Sequence, residues 1–385
     1  MKSRAILLFE NSIKSESTKK TYNYCLKKFV EYYKLKGIDS LITIESKVLQ
    51  TMFEDYLFYQ KKNVRLGSIR THFAAFDLFC IVNEIEGLNF RKIRKMFPAL
   101  ERKQGRNAWP TQSIQKMLEA TKELRTKTLI HFLASSGCRI GAIPDLKIGN
   151  LTEMPEGCLA VVFYEGTNDE YVGFLTPEAA KFLRKYLEKR TNDGEKLDKN
   201  HPLFRERYAI GIAKPRSITQ PNFRTIIHRL IKTSGIEREK SDGRFDIMSI
   251  HGFRKRFNTI LKLNKEINPA IAEKLMGHKV ALDSVYLTPT RDDLFNEFKK
   301  AILDLTISDS DKLKLRNEKL EEEKSELESK TEELGLHKDE FDRLKQVVEN
   351  LLKEKESKED NNTDEIKRNR QTIDYLLKEV KKLKS

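Results

Sequence analysis

The sequence predicts a multidomain chain: an all-α N-terminal domain over residues 1–105, an α+β domain over 106–306, and a charged, heptad-repeat helical tail over 307–385. Three observations lead there. Apolar residues recur at helical spacing through the first hundred positions. Two short β-type runs flank a turn-prone triplet inside the second region. From about residue 308 an apolar residue returns every seven positions in a Lys/Glu-rich background, the period of a coiled coil. At 385 residues the chain also exceeds one ordinary domain.

In the first region Tyr22, Leu26, Phe29 and Tyr33 share one helix face, and Ile69, Phe73, Phe76 and Cys80 share another. Between them "SKVLQTMFEDYLFYQKK" supplies a further amphipathic helix. Residues 1–105 hold 20 Lys and Arg against 11 Asp and Glu. The stretch "ERKQGRNAWPT", residues 101–111, is polar and basic with a Gly and a Pro, which predicts an exposed linker.

In the second region "CLAVVFYEG" and "EYVGFLT" read as the strands of a hairpin around "TND". A helix then starts at "TPEAAKFLRKYLEKR", with Thr176 as N-cap and Pro177 in the first turn. The same grammar returns in "NPAIAEKLMG", where Asn268 caps, Pro269 opens and Gly277 terminates. His278 therefore falls on the loop after a helix, where functional side chains converge.

In the tail Leu313, Leu320, Leu327, Leu334, Phe341 and Val348 form the heptad series. The second seam position is polar at Arg316, Glu323, Lys330 and His337. A shorter apolar block, Ile366, Ile373, Leu376, Val380 and Leu383, follows the break "KESKEDNNTD". Self-association through this tail and a solvated, loosely docked helix both fit the pattern.

The net charge of +15 favours a polyanionic partner, nucleic acid ahead of a membrane surface. The tail holds 19 basic and 22 acidic residues, so the surplus belongs to the first 307. No apolar run reaches the roughly 18 residues of a membrane-spanning helix. "MKSRAILLFENSIKSES" has too short an apolar core for a secretory signal, so an intracellular chain with no membrane partner is expected. Cys25, Cys80, Cys138 and Cys158 are scattered without a C-x-x-C pair, which predicts reduced structural thiols and no metal site.

The chemistry gathers in four short stretches. "SIHGFRKRFNTIL" sets His251 and Arg254 three apart on one helix face. "SSGCRIGAIPDL" places Arg139 just past a Gly, with Ile140, Ile143 and Leu146 able to anchor the backbone around it. "MGHK" carries His278 and "DSVYL" carries Tyr286. Each residue alone reads as an ordinary surface or salt-bridged group; the ordered set suggests phosphoryl transfer without metal or other cofactor. Guanidinium forks match phosphate oxygens bidentately and stay charged. They would stabilise a pentacoordinate transition state. A tyrosine hydroxyl needs such a cationic field and a nearby base to act as nucleophile, and histidine fits that base role. The product would be a covalent phosphotyrosine that conserves the bond energy for resealing without ATP.

With these motifs in hand, the chain resembles the tyrosine recombinase, or phage integrase, family. Arg139, the His251–Arg254 pair, His278 and Tyr286 match in order the family's first arginine, H-x-x-R, late His or Trp position and nucleophilic tyrosine. The wording of "SSGCRIGAIPDLK" and "MGHKVALDSVYLTPTRDDL" is closer to archaeal integrases than to bacterial Xer proteins. The resemblance covers about 300 residues. It implies a SAM-like core-binding domain at the N-terminus, a catalytic tyrosine-recombinase domain after it, and a C-shaped clamp on double-stranded DNA. It also implies a 3′-phosphotyrosine intermediate, a homotetramer on two DNA sites, and a cytoplasmic, nucleoid-associated protein acting for a mobile element. Arg139, Arg254 and His278 would bind the scissile phosphate, and His251 would assist proton transfer.

Two departures stand out. Bacterial members carry an acidic residue three after the first arginine, where this chain has Ala142. The family's hairpin lysine has no counterpart in "AVVFYEGTNDEYVGFLT"; Asn168 sits near its place, and either a lysine from elsewhere, such as Lys279 beside His278, enters the site or leaving-group protonation is weak. After the tyrosine, "TRDDLFNEFKKAILDLTI" reads equally as a helix handed to a neighbouring protomer and as one packed on its own domain. A type IB topoisomerase and a non-catalytic DNA-binding relative remain as alternative readings.

Overall fold

The computed structural model describes residues 3–99, 106–207, 215–241, 244–279, 287–356 and 363–382. The chain divides into two compact units, Met1–Gly105 and Arg106–Ser385.

The first unit is helical among its described residues. It contains α1 (Arg4–Asn11), α2 (Glu16–Tyr32), α3 (Ser40–Thr43), α4 (Ser46–Asn63), α5 (Leu66–Val82) and α6 (Phe90–Lys95). The helical-period residues of α2 and α5 turn inward, and Leu26, Phe29, Ile69, Phe73, Phe76 and Cys80 are buried. Phe29, Phe53 and Phe76 form the aromatic centre, with ring centroids 5.0 Å apart for Phe29–Phe53 and Phe29–Phe76 and 5.1 Å for Phe53–Phe76. Burial of each such side chain is worth about 1.5–3 kcal/mol. Tyr22 and Tyr33 stay half-buried at the rim.

The second unit opens with a correction to the linker expected at 101–111. Trp109 is fully buried. Its indole Nε1 donates to the Ser249 carbonyl at 2.8 Å, and a Cβ on Gly252 would come within 2.6 Å of its ring. Trp109 is thus a core residue inside a stretch whose neighbours Asn107 and Pro110 stay exposed, because one large aromatic finds a pocket that the polar residues around it do not need.

Helices α7 (Thr111–Glu119) and α8 (Leu124–Ser136) lead to a 3-10 turn at Ile140–Asp145. A three-stranded antiparallel sheet follows, in the order β1 (Leu151–Glu153), β2 (Leu159–Phe163), β3 (Tyr171–Leu175). In the hairpin Leu159 pairs with Leu175 and Phe163 with Tyr171. Both faces of β2 are covered. Leu159, Val161 and Phe163 join a core with α8 residues such as Leu129 and Leu133, while Ala160 joins Phe174 of β3 in a second core with Phe257 and Leu275. That double burial explains the continuous apolar run LAVVF.

The rest comprises α9 (Pro177–Asn192), α10 (Gln220–Thr233), a two-stranded ribbon of β4 (Lys240–Ser241) and β5 (Arg244–Phe245), α11 (His251–Leu263), α12 (Pro269–Leu275), α13 (Arg291–Lys299) and α14 (Ile302–Leu305). Thr176 Oγ1 accepts from Ala179 N at the start of α9, and Asn268 Oδ1 accepts from Ala270 N at the start of α12. Helices α13 and α14 pack on their own unit: the rings of Phe295 and Phe298 lie 5.3 and 5.4 Å from that of Phe174. In this single chain the segment packs on its own unit.

The junction to the tail is fixed. Buried Glu178 accepts from the backbone N–H groups of Ile307 at 2.8 Å and Ser308 at 2.9 Å, and the Ile307 side chain is buried in the first core. Beyond it run α15 (Asp309–Glu356) and α16 (Thr363–Lys382), which contact each other. Leu313, Leu320 and Leu327 are 58%, 62% and 64% exposed, so the chain itself leaves this stripe uncovered. None of the described helices is long and apolar enough to cross a membrane.

Candidate active site

Three chain turns build the site. The first ends α8, where Gly137 takes φ +56° and its N–H closes the helix on Leu133 O. Only a residue without Cβ fits there, since a Cβ would lie 2.5 Å from the Phe257 ring. Arg139 follows two residues later. Ile143, Leu146 and Ala142 are all buried and pin the turn. The second turn is the start of α11, where His251 is the first helical residue and Arg254 lies one turn on. The third ends α12, where Gly277 takes φ +61° over the ring of Tyr171 and precedes His278.

Arg254 ties the first and third turns together. Its side chain is buried, with Nη1 donating to Gly137 O at 2.8 Å and Nη2 to Met276 O at 2.5 Å and to His278 Nε2 at 2.9 Å. Arg139 Nη2 donates to the next carbonyl, Gly277 O, at 3.0 Å. Two guanidiniums therefore converge on the consecutive carbonyls of Met276 and Gly277. Position 142, three after Arg139, is a buried alanine, and the Gly277 carbonyl is the acceptor that holds the Arg139 guanidinium. Burial lowers the Arg254 pKa from its ordinary value, Arg139 lowers it further, and the Tyr171 hydroxyl raises it.

His278 accepts from Arg254 at Nε2, so its proton sits on Nδ1, which faces Glu273 Oε2 at 2.5 Å. Glu273 also pairs with Lys262, which is the main reason its carboxyl lies below the usual range. The His251 pKa is lowered first by burial, then by the charges of Arg254, Lys255 and Arg106. A neutral imidazole one turn from a buried arginine is suited to taking a proton. Cys138, beside Arg139, is no competing nucleophile, because burial pushes its thiol up to about 11.

Tyr286 lies outside the described residues, as do 280–285. Lys279, which precedes them, reaches the hairpin turn: its Nζ is 2.8 Å from Asp169 Oδ1, next to Asn168. Sequence reasoning missed four supports, Trp109, Tyr171, Glu273 and Asp169. Tyr171 stacks on Phe163, with centroids 4.9 Å apart and planes at 21°, and floors the Gly277 turn. Its only sequence signal was an aromatic at a strand start. Among the described residues no group of His, Cys, Asp or Glu is arranged to hold a metal ion.

A unit that brings two arginines to one carbonyl run, shortly before Tyr286 in sequence, has the build of a tyrosine recombinase. Sequence comparison points the same way: residues 109–283 match the phage integrase family. Among solved structures the chain is similar to a lambda integrase tetramer bound to a Holliday junction, at 13% identity over 73% of this chain and 76% of that one, with a TM-score of 0.49. It is similar to the XerH recombinase in a post-cleavage complex with palindromic difH, at 19% identity over 69% and 74%, TM-score 0.48. XerA recombinase is similar at 18% identity over 77% and 97%, TM-score 0.35. With all three TM-scores below 0.5, the assignment rests on the family match. No curated protein sequence matches the chain significantly.

Proposed function

We propose that this protein is a site-specific DNA integrase that cuts and rejoins duplex DNA through a covalent 3′-phosphotyrosine at Tyr286. The observation that carries the reading is the shared anchoring of Arg139 and Arg254 on the Met276 and Gly277 carbonyls, within the span that matches the phage integrase family. Held this way, the two cations are preorganised for the extra charge of a pentacoordinate phosphorus, an effect worth about 10²–10³ in rate per donor. The Tyr286 oxygen bonds to phosphorus as the bond to the 5′ oxygen breaks, and neutral His251 takes the phenol proton. His278 works through Arg254, whose fork it accepts. Attack by a 5′ hydroxyl from a partner strand reverses the step and reseals DNA.

Exchange between two duplexes needs four protomers on two sites. The uncovered stripe Leu313, Leu320 and Leu327 supports self-association through the tail as a contribution to that assembly. A two-site recombination assay on DNA from the gene's own flanks, run beside supercoil relaxation, tests the reading. Exchange of flanking markers supports an integrase; relaxation of any supercoiled plasmid without exchange supports topoisomerase chemistry instead.

A further inference from the structure

Breaking a phosphodiester to a 5′ alkoxide requires a proton, and its donor can be sought among the cations and imidazoles at the site. Arg139 and Arg254 hold their protons too tightly to give them up. The His278 Nε2 position accepts from Arg254, and its Nδ1 proton is committed to Glu273. His251 is biased toward its neutral form by burial and three cations, which makes it a base. Lys255 Nζ is bound to the Arg106 carbonyl, and Lys262 is bound to Glu273.

Lys279 differs from all of these. It follows His278 directly, and its ammonium pairs with a carboxylate on the β2–β3 turn at 2.8 Å, with the two side chains 64% and 69% exposed. An exposed pair of this kind is weak and exchangeable, worth about 0–1 kcal/mol. The turn also lies within the field of Arg139: Asp169 is held below its ordinary carboxyl range mainly by Lys279, with Arg139 adding to the effect. Arg139 donates to the carbonyl of Gly277, two residues before Lys279, so a phosphate bound by Arg139 arrives beside the turn that carries Lys279 and can displace Asp169 as its partner.

Resting on the recombinase reading above, we infer that Lys279 is the general acid for the leaving 5′ oxygen and that Asp169 is the residue that positions it. As the Tyr286 oxygen bonds to phosphorus, the P–O5′ electron pair passes to O5′, which takes a proton from Lys279 Nζ; His251 gains the tyrosine proton. Resealing returns both protons. The hairpin thus contributes an acceptor that steers a lysine from the neighbouring loop, in place of a lysine of its own.

The test compares nicked suicide substrates whose leaving atom is oxygen or a bridging 5′ sulfur, using full-length protein. A thiolate, with an ordinary pKa of about 8.5, leaves without a proton. Lys279→Ala and Lys279→Arg are expected to slow adduct formation on the oxygen substrate by about 10²–10⁴-fold. Both are expected to cut the sulfur substrate within about threefold of wild type, the range left for a lost surface charge. Asp169→Asn should show the same selectivity at smaller amplitude. Equal slowing on both substrates, or full activity of Lys279→Arg on oxygen, overturns the inference, because either result leaves only a charge effect. Absence of a wild-type adduct on the sulfur substrate overturns the recombinase reading, and this inference with it; a normal wild-type adduct with unaffected Lys279 variants overturns this inference alone.

Discussion

Replacing Gly277 by Ala should damage both stability and cleavage, by amounts the geometry sets. Gly277 has φ +61°, and an L-residue held in the left-handed region costs about 1–2 kcal/mol. Its new Cβ would lie 2.5 Å from Tyr171 Cδ1 and 2.6 Å from Cε1. That ring cannot easily retreat, being stacked on Phe163 and fixed by strand pairing to it. Overpacking of this kind costs about 1–3 kcal/mol, so the total is about 2–5 kcal/mol if the turn stays in place. Gly166 is the internal control: φ is +72°, but nothing lies within 4 Å of the position a Cβ would take, so Gly166→Ala should cost only the backbone term of about 1–2 kcal/mol. Urea unfolding of the second unit measures both. Any relief by movement of the turn displaces the Met276 and Gly277 carbonyls that hold Arg254 and Arg139, and the rate of covalent DNA adduct formation should then fall at least 10²-fold. Gly277→Ala matching Gly166→Ala within about 0.5 kcal/mol, with wild-type cleavage, would refute the reasoning.

Further outcomes follow from the same contacts. Arg254→Lys should abolish detectable cleavage and destabilise the unit, since a single Nζ cannot occupy the separate positions from which Nη1 reaches Gly137 O and Nη2 reaches Met276 O and His278 Nε2, and each deserted buried carbonyl costs about 1–3 kcal/mol; adduct assays and urea midpoints check it. The rate of cleavage should fall as pH drops through the His251 pKa, which burial and neighbouring cations hold below about 6.5. The sign follows from the role, because the neutral imidazole is the base; a pH–rate profile in which His251→Gln loses that acid limb supports it. Deletion of 320–385 should preserve cleavage and unit stability, whereas deletion of 308–385 removes Ser308 from Glu178 and Leu315 from the second core and should lower the thermal midpoint. Leu320→Lys should weaken self-association in sedimentation experiments without changing the adduct rate.

Much of the local structure around the candidate site was legible because its described residues occur in stretches with strong local grammar. Gly137 and Gly277 stop helices at positions only glycine adopts easily, Asn268 and Thr176 cap, and the i, i+3 spacing of His251 and Arg254 places them on one helix face. The hairpin strands were visible for a similar reason: β-branched and aromatic runs flanking a turn signal. What stayed hidden were contacts between residues distant in sequence. Trp109 covers Gly252 and bonds to the Ser249 carbonyl from 140 positions away, and polar neighbours disguised it as linker. The pairing of Lys279 with Asp169 joins two turns that no periodicity connects. The carbonyls that orient Arg139 and Arg254 carry no side-chain signature at all, so the groups that orient an arginine without an acidic neighbour could not be named from the sequence.

The central claim is that Tyr286 becomes covalently joined to DNA, and covalent capture tests it most directly. Wild type and Tyr286→Phe are incubated with nicked suicide substrates from native flanking sequence and a randomised library, denatured in SDS, and the DNA that stays attached is sequenced. The account predicts an adduct through the 3′ phosphate, dependent on Tyr286 and enriched for one sequence. DNA bound in a gel shift with no adduct on any substrate, or an adduct that survives Tyr286→Phe, would contradict it.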